Sequence, residues 1–293
     1  MVKFLTELQH TRLGELTTPM LQGTLTRLCG HTSAESQARQ CNTLGAILGA
    51  AQRHGLMDAV PKIPRPRHSS GKTKIVNKWL YPEEIALFLE CLPEHIRLPV
   101  KIMFMQGRRP SEILYRDWSD LKLRAGAETL YLGVTKTGVE QSIPLDREIV
   151  EDLKALASAR LAAGMALEGG IFLTSYGKPW QRPEGCFENP IGKPVRIARE
   201  KAAKRLEAMA LEAGVDREHR DWLRERAAVM RTVTAYWGRH NFVSHHVINE
   251  TPPLAIARLV GWSSLAMLPR YGHLADGHLR EAMAKVRVTG GKK

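Results

Sequence analysis

Between residues 61 and 78 the chain carries Pro61, Pro64 and Pro66, then a loose Ser69-Ser70-Gly71, and no acid at all. Six cations, Lys62, Arg65, Arg67, Lys72, Lys74 and Lys78, are spread through the same window. Proline has no N–H to give and its ring clashes with the preceding turn, so no helix runs through this stretch. Like charges without counter-charges repel and keep the segment extended. The feature forces two folding units on the chain, and its 293 residues are enough for both. The expected division is residues 1–61, a basic linker over 62–78, and residues 79–293. Such a linker suits a course along a phosphate backbone, where each cation displaces condensed counterions.

The whole chain leans the same way. It has 43 Lys+Arg against 30 Asp+Glu, a net charge of +13. That excess favours a polyanion, and nucleic acid comes first. Cys29, Cys41, Cys91 and Cys186 show neither CxxC nor Cys/His ligand spacing, which supports neither a zinc site nor a disulfide framework. Reduced thiols are expected. The first residues lack a secretory apolar core and no uncharged run approaches 18 residues. The expectation is a soluble, cytoplasmic protein with no membrane partner.

Before the linker the pattern is helical. Thr18-Pro19 reads as an N-cap with proline at the first helical position, Leu21, Leu25 and Leu28 recur at helical spacing, and Gly30 stops the run. Ser33 starts a second helix with an apolar stripe of Leu44, Ile47, Leu48 and Ala51, which Gly55 ends. After the linker, Tyr81-Pro82-Glu83-Glu84 opens a helix, and residues 96–106 form another apolar stretch up to Gly107. Residues 129–135 alternate with period 2, and residues 142–145 answer them across Thr137-Gly138, a hairpin with Lys136 near its tip. From Val195 a helical spacing continues through Ala198, Ala202, Leu206, Met209 and Ala213 to Gly214. Thr251-Pro252-Pro253 reads as the cap of a short helix ending at Gly261. The fold class is mainly α with a small antiparallel β-sheet.

Four stretches carry chemistry: Gln106-Gly107-Arg108-Arg109-Pro110-Ser111-Glu112, Lys136-Thr137-Gly138, Arg239-His240-Asn241-Phe242, and Gly261-Trp262 followed by Arg270-Tyr271. They supply guanidinium forks, an ammonium, an indole donor and a phenol. That set can break a phosphodiester by tyrosine attack, with fixed cations carrying the charge that develops on the phosphate. Neither a paired-carboxylate nuclease site nor a glycine-rich nucleotide loop stands out. Tyr271 falls 9 residues after Trp262 and 32 after Arg239.

In order and spacing these stretches resemble the tyrosine recombinases, the phage integrase family, over roughly residues 15–280. The resemblance implies a tyrosine-recombinase-like catalytic domain after the linker and a small helical, core-binding-like DNA-binding domain before it. Arg109, rather than Arg108, takes the place of the first catalytic arginine, and Arg239 completes the phosphate clamp. Lys136 takes the place of the lysine that protonates the 5′-oxygen leaving group. Trp262 stands in the family's His/Trp slot, Glu112 sits behind the clamp and holds an arginine, and Tyr271 is the nucleophile. The departure is Tyr236, where the family has the histidine of a His-x-x-Arg pattern; a phenol is a poor base near neutral pH. His240, His245 and His246 lie nearby, and nothing in the sequence assigns that role to any of them.

The resemblance further implies double-stranded DNA as partner, no cofactor and no metal, a tetramer in the synapse, and accessory DNA-bending factors. Leu279, Met283 and Val286 recur at helical spacing in the tail, which the resemblance assigns to packing on a neighbouring protomer. Two other readings stay open at this point: a type IB topoisomerase-like DNA relaxer, and a decayed integrase that only binds DNA.

Overall fold

The structure, a computed structural model, describes residues 6–65, 78–134, 140–181 and 190–278. The chain separates into two compact units, residues 1–73 and 74–293.

In the first unit a 3-10 turn, Leu13–Glu15, precedes helices α1 (Thr18–Cys29) and α2 (Ala34–Arg53). The cap of α1 is Thr17, one residue before the expected Thr18: its hydroxyl accepts from the Met20 N–H. Pro19 then falls in the first turn, where its missing N–H costs no helical bond. Ser33 caps α2 by accepting from the Ser36 N–H. Leu21 and Leu25 of α1 meet Cys41, Leu44 and Leu48 of α2, with Met57 closing the cluster. Ile63 packs on it and the Cys41 thiol donates to the Pro64 carbonyl, so the opening of the basic stretch lies against this unit.

The second unit begins with α3 (Pro82–Glu90), α4 (Glu94–Gln106) and the single turn α5 (Pro110–Ile113). Strands β1 (Leu121–Lys122), β2 (Thr129–Val134) and β3 (Glu140–Pro144) form an antiparallel sheet in that order. Leu130 faces Ile143 across β2 and β3, both buried, and the register shifts between Tyr131 and Gly133. Helices α6 (Arg147–Ala162), α7 (Gly192–Met209), α8 (Arg217–Met230), α9 (Trp237–Ile248) and α10 (Pro253–Val260) follow, then a 3-10 segment, Leu265–His278. The mainly α architecture with a small antiparallel sheet is the one expected.

One further boundary differs from the sequence reading. α7 stops at Met209, which is exposed, and Ala213 lies beyond it in a turn that Gly214 carries at φ 90°. α10 starts at the expected Thr251-Pro252-Pro253, with Pro252 as its N-cap residue and the Thr251 hydroxyl 2.9 Å from His246 Nδ1. One core joins Ile96, Val100 and Phe104 of α4 to Ala198, Ala202 and Leu206 of α7 and to Leu223 and Ala227 of α8. Among the described residues no helix is long and apolar enough to cross a membrane.

A buried ion pair fastens α3 to α8. Arg226 donates through Nε and Nη2 to the two carboxylate oxygens of Glu84, both at 2.7 Å, and through Nη2 to the Trp79 carbonyl. The guanidinium also lies over the Trp79 and Tyr81 rings, 5.5 and 5.1 Å from their centroids. Removing one partner of such a pair strands a buried charge, which costs about 3–5 kcal/mol. Arg226→Leu should therefore lower the free energy of unfolding by that amount in urea melts; a loss below about 1 kcal/mol would show that Glu84 is readily solvated.

Candidate active site

α4 ends at Gly107, whose left-handed backbone (φ 63°) turns the chain into α5. A Cβ on Gly107 would lie 2.6 Å from Cδ1 of Phe242, so glycine is required there for space as well as conformation. Gly238, in the first turn of α9, is needed for a different reason: a Cβ there would stand 2.7 Å from the carbonyl carbon and oxygen of Met103. With glycine, the backbone of α9 rests directly on α4. Arg239 is thereby carried beneath Gly107. Its Nη1 donates to the Gly107 carbonyl at 3.4 Å and its Nη2 to the Val260 carbonyl at 2.5 Å, and it is only 9% exposed.

Arg108 and Arg109 diverge. Arg108 turns inward, 1% exposed, with Nε donating to the Gln106 carbonyl and Nη2 to the Leu259 carbonyl. Arg109 stays half exposed as the N-cap residue of α5. Its backbone N–H and its Nη1 both donate to Glu112, at 2.9 and 2.6 Å. The same carboxylate stands 3.9 Å from Nη1 of Arg239, so Glu112 lies between the two arginines. Burial, with Arg109's charge adding to it and Glu112 opposing, brings Arg239 down to about 10. Burial likewise brings Arg108 to about 10. Both remain cations at neutral pH, but strained ones, and an anion arriving among them would relieve the mutual repulsion.

Gly261 ends α10 in a left-handed conformation, and the Trp262 N–H folds back to the Ala257 carbonyl at 2.8 Å. The Trp262 ring centroid is 5.9 Å from Cζ of Arg239 and 6.3 Å from the Tyr271 ring. Tyr271 is 1% exposed and belongs to an apolar cluster with Val243, Ile256 and Val260. Its hydroxyl lies 2.5 Å from Nδ1 of His240. Burial pushes the phenol up to about 12, with Arg270 and Arg239 pulling the other way. Burial, then the charges of Lys78, Arg270 and Arg239, push His240 down to about 4. At neutral pH the phenol is therefore the donor and a neutral imidazole nitrogen the acceptor. Sequence reasoning left His240 unassigned. The available signal was its place directly after Arg239, about 100° further round the same helix.

Arg109, Glu112, Arg239, Trp262 and Tyr271 thus converge. Tyr236 is the N-cap residue of α9, without a side-chain cap bond, and 53% exposed. Of the basic stretch, Lys62 and Arg65 fall in the first unit and Lys78 in the second. Lys136, Arg67, Lys72 and Lys74 lie outside the described residues, as do Leu279, Met283 and Val286 of the tail.

The sequence model of the phage integrase family matches residues 78–278. The chain belongs to the phage integrase family. The integrase of Salmonella phage P22 is 23% identical over 249 residues, which are 84% of this chain and 56% of that protein. The chain therefore spans little more than half the length of that relative. Several solved structures share the fold. A XerH site-specific recombinase in a post-cleavage complex with palindromic difH substrate aligns with a TM-score of 0.60, 18% identity, 92% of this chain and 72% of its own. The integrase of transposon Tn1549, in complex with transposon right end DNA, aligns with a TM-score of 0.61, 17% identity, 97% of this chain and 91% of its own.

The buried phenol of this integrase-family site has a consequence at alkaline pH. In the unfolded chain Tyr271 ionises near its ordinary value of 10, and in the folded one only near 12. The unfolded state thus loses its proton first, and stability falls as pH rises through that window, by about 1.4 kcal/mol per unit of pKa difference. Tyr271→Phe removes this contribution. The gap in unfolding free energy between the two proteins should change in the variant's favour between pH 9 and 11, and a gap independent of pH would show that the phenol titrates as if exposed.

Proposed function

We propose that this chain is a site-specific DNA recombinase that cuts and rejoins strands through a covalent 3′-phosphotyrosyl intermediate on Tyr271. The observation that carries the reading is the convergence of one phenol, one indole and two guanidinium groups, with Glu112 between Arg109 and Arg239. Attack by the phenol oxygen gathers charge on the non-bridging oxygens of the phosphate. Arg109 and Arg239 offer planar forks to those oxygens, and Trp262 adds its indole N–H while shielding the site. Lys136 protonates the departing 5′-oxygen. The bond energy is kept in the phosphotyrosine, so a second DNA end with a free 5′-hydroxyl reverses the step with a new partner. Glu112 orients both arginines, and Tyr236 is a supporting hydrogen-bond group.

Residues 1–61 serve as a DNA-binding domain, residues 62–78 as a linker whose cations follow the backbone, and residues 79–293 as the catalytic domain. The protein works on double-stranded attachment-type sites as a tetramer holding two duplexes, in the cytoplasm, with its tail packed on a neighbouring protomer and with DNA-bending factors assisting. Family membership supports this reading over a DNA relaxer, and the intact arginine, indole and phenol set supports it over a decayed binder.

A nicked suicide substrate should trap the wild-type protein as a denaturant-resistant adduct without added magnesium, mapped by peptide analysis to Tyr271. An adduct on another tyrosine, or one that survives in Tyr271→Phe, overturns the assignment. Arg109→Ala should keep DNA binding and lose about 10²–10³ in cleavage rate, as removal of one preorganised donor does elsewhere. Neutralising Lys72, Lys74 and Lys78 together should weaken binding to every sequence and flatten its dependence on salt, which filter binding from 50 to 200 mM salt would read. An unchanged slope would place these lysines away from phosphate.

A further inference from the structure

One short contact of the site has no part in the scheme above, the one between Tyr271 Oη and His240 Nδ1, 2.5 Å apart. We infer that His240 is the base that accepts the Tyr271 proton as the phenol oxygen attacks phosphorus, and the acid that returns it when the strand is rejoined. The inference rests on Tyr271 being the nucleophile.

Tyr236 occupies the position where the resemblance expects a histidine, and it stands exposed at the start of α9. His240 supplies a ring nitrogen already in hydrogen-bond reach of the reacting oxygen. Within the tyrosine's own segment, His273, two residues after Tyr271, has both ring nitrogens buried without a partner, so it makes no bond to the phenol. Among the described residues, the charged groups that face the pair are Lys78, Arg239 and Arg270, all cations. They and burial keep the imidazole neutral, which leaves Nδ1 free to accept when Nε2 carries the proton.

Burial pushes the phenol up and the imidazole down, so transfer before attack is disfavoured. The proton therefore moves with the attack. As Oη bonds to phosphorus its basicity collapses, and the anionic phosphate beside the ring raises the proton affinity of the imidazole. In the forward step the Oη–H bond breaks, P–Oη forms, Nδ1 takes the proton, and the 5′-oxygen leaves with a proton from Lys136. In the reverse step the 5′-hydroxyl attacks and yields its proton to the lysine amine, and Oη departs with the proton from the imidazolium.

The test is single-turnover cleavage of a suicide substrate by wild type, His240→Gln and His240→Ala, each checked for melting and DNA affinity. A second substrate carries sulfur in place of the bridging 5′-oxygen, so that its leaving group needs no proton. Both variants should bind DNA and cleave about 10²–10³-fold more slowly, within the range for lost general-base catalysis. The sulfur substrate should not restore them, although it should restore Lys136→Ala. Between pH 7 and 9 the variant rates should climb about tenfold per unit, as hydroxide takes over the proton, while the wild-type rate stays level. Added imidazole should speed His240→Ala. A folded variant that cleaves at the wild-type rate, one that sulfur restores, or one whose profile stays level overturns the proposal, the last assigning His240 to positioning alone. Nitrogen-15 NMR of the wild-type histidines, which needs no variant, should show Nδ1 of His240 unprotonated; a proton on Nδ1 overturns it equally. Failure of wild type itself to form an adduct on Tyr271 would instead defeat the recombinase reading.

Discussion

The backbone of α9 rests on the backbone of α4 with no side chain between them at Gly238, and the site inherits its geometry from that contact. One residue further on, Arg239 is carried under the Gly107 carbonyl, and the next residue, His240, meets the Tyr271 hydroxyl. Gly107 makes the matching turn at the end of α4, close against Phe242 of the same helix. A methyl group at either glycine would have to move backbone or a packed ring, and every group downstream would move with it.

Charge is the second constraint. Arg108, Arg109 and Arg239 crowd around one carboxylate, Glu112, and two of the three are buried. Buried cations are tolerated when their N–H groups find acceptors, and here main-chain carbonyls of Gln106, Gly107, Leu259 and Val260 serve that purpose. Carbonyl dipoles satisfy most of these donors, Arg108 Nη1 being left without a partner, and they do not cancel the positive charge. The cluster therefore keeps a net attraction for an anion while remaining folded in its absence, which is what a preorganised oxyanion-binding site requires.

Much of this could be read from the residues. Ser33 and Gly30 bounded helices, and the alternation over residues 129–135 marked the hairpin, because both signals are local. The spacing of Arg239, Trp262 and Tyr271 was legible for the same reason: each sits in a short motif next to a glycine or cap. What escaped depended on distant partners. The resemblance told Arg109 from Arg108, but the inward course of Arg108 is set by a carbonyl 151 residues away, at Leu259. The contact of His240 with Tyr271 spans 31 residues and exists only because two segments pack in one apolar cluster. Strand β1, two residues long, is too short for a period-2 pattern to register. The reading of a helix through Ala213 failed since alanine fits a turn as readily as a helix.

α9 also holds the start of its own unit. The Leu80 N–H donates to Oδ1 of Asn241 at 2.7 Å, and the Leu80 carbonyl lies 2.8 Å from Nε2 of His245. Asn241 and His245 are one helical turn apart, so a single face of α9 grips both polar groups of one peptide segment. Mechanically, this is a clamp on a cable. A pull on Leu80 arrives at α9, at Asn241 and His245, next to the residues Arg239 and His240 of the site. Load on Leu80 and the alignment of the site are thus borne by the same twelve-residue rod.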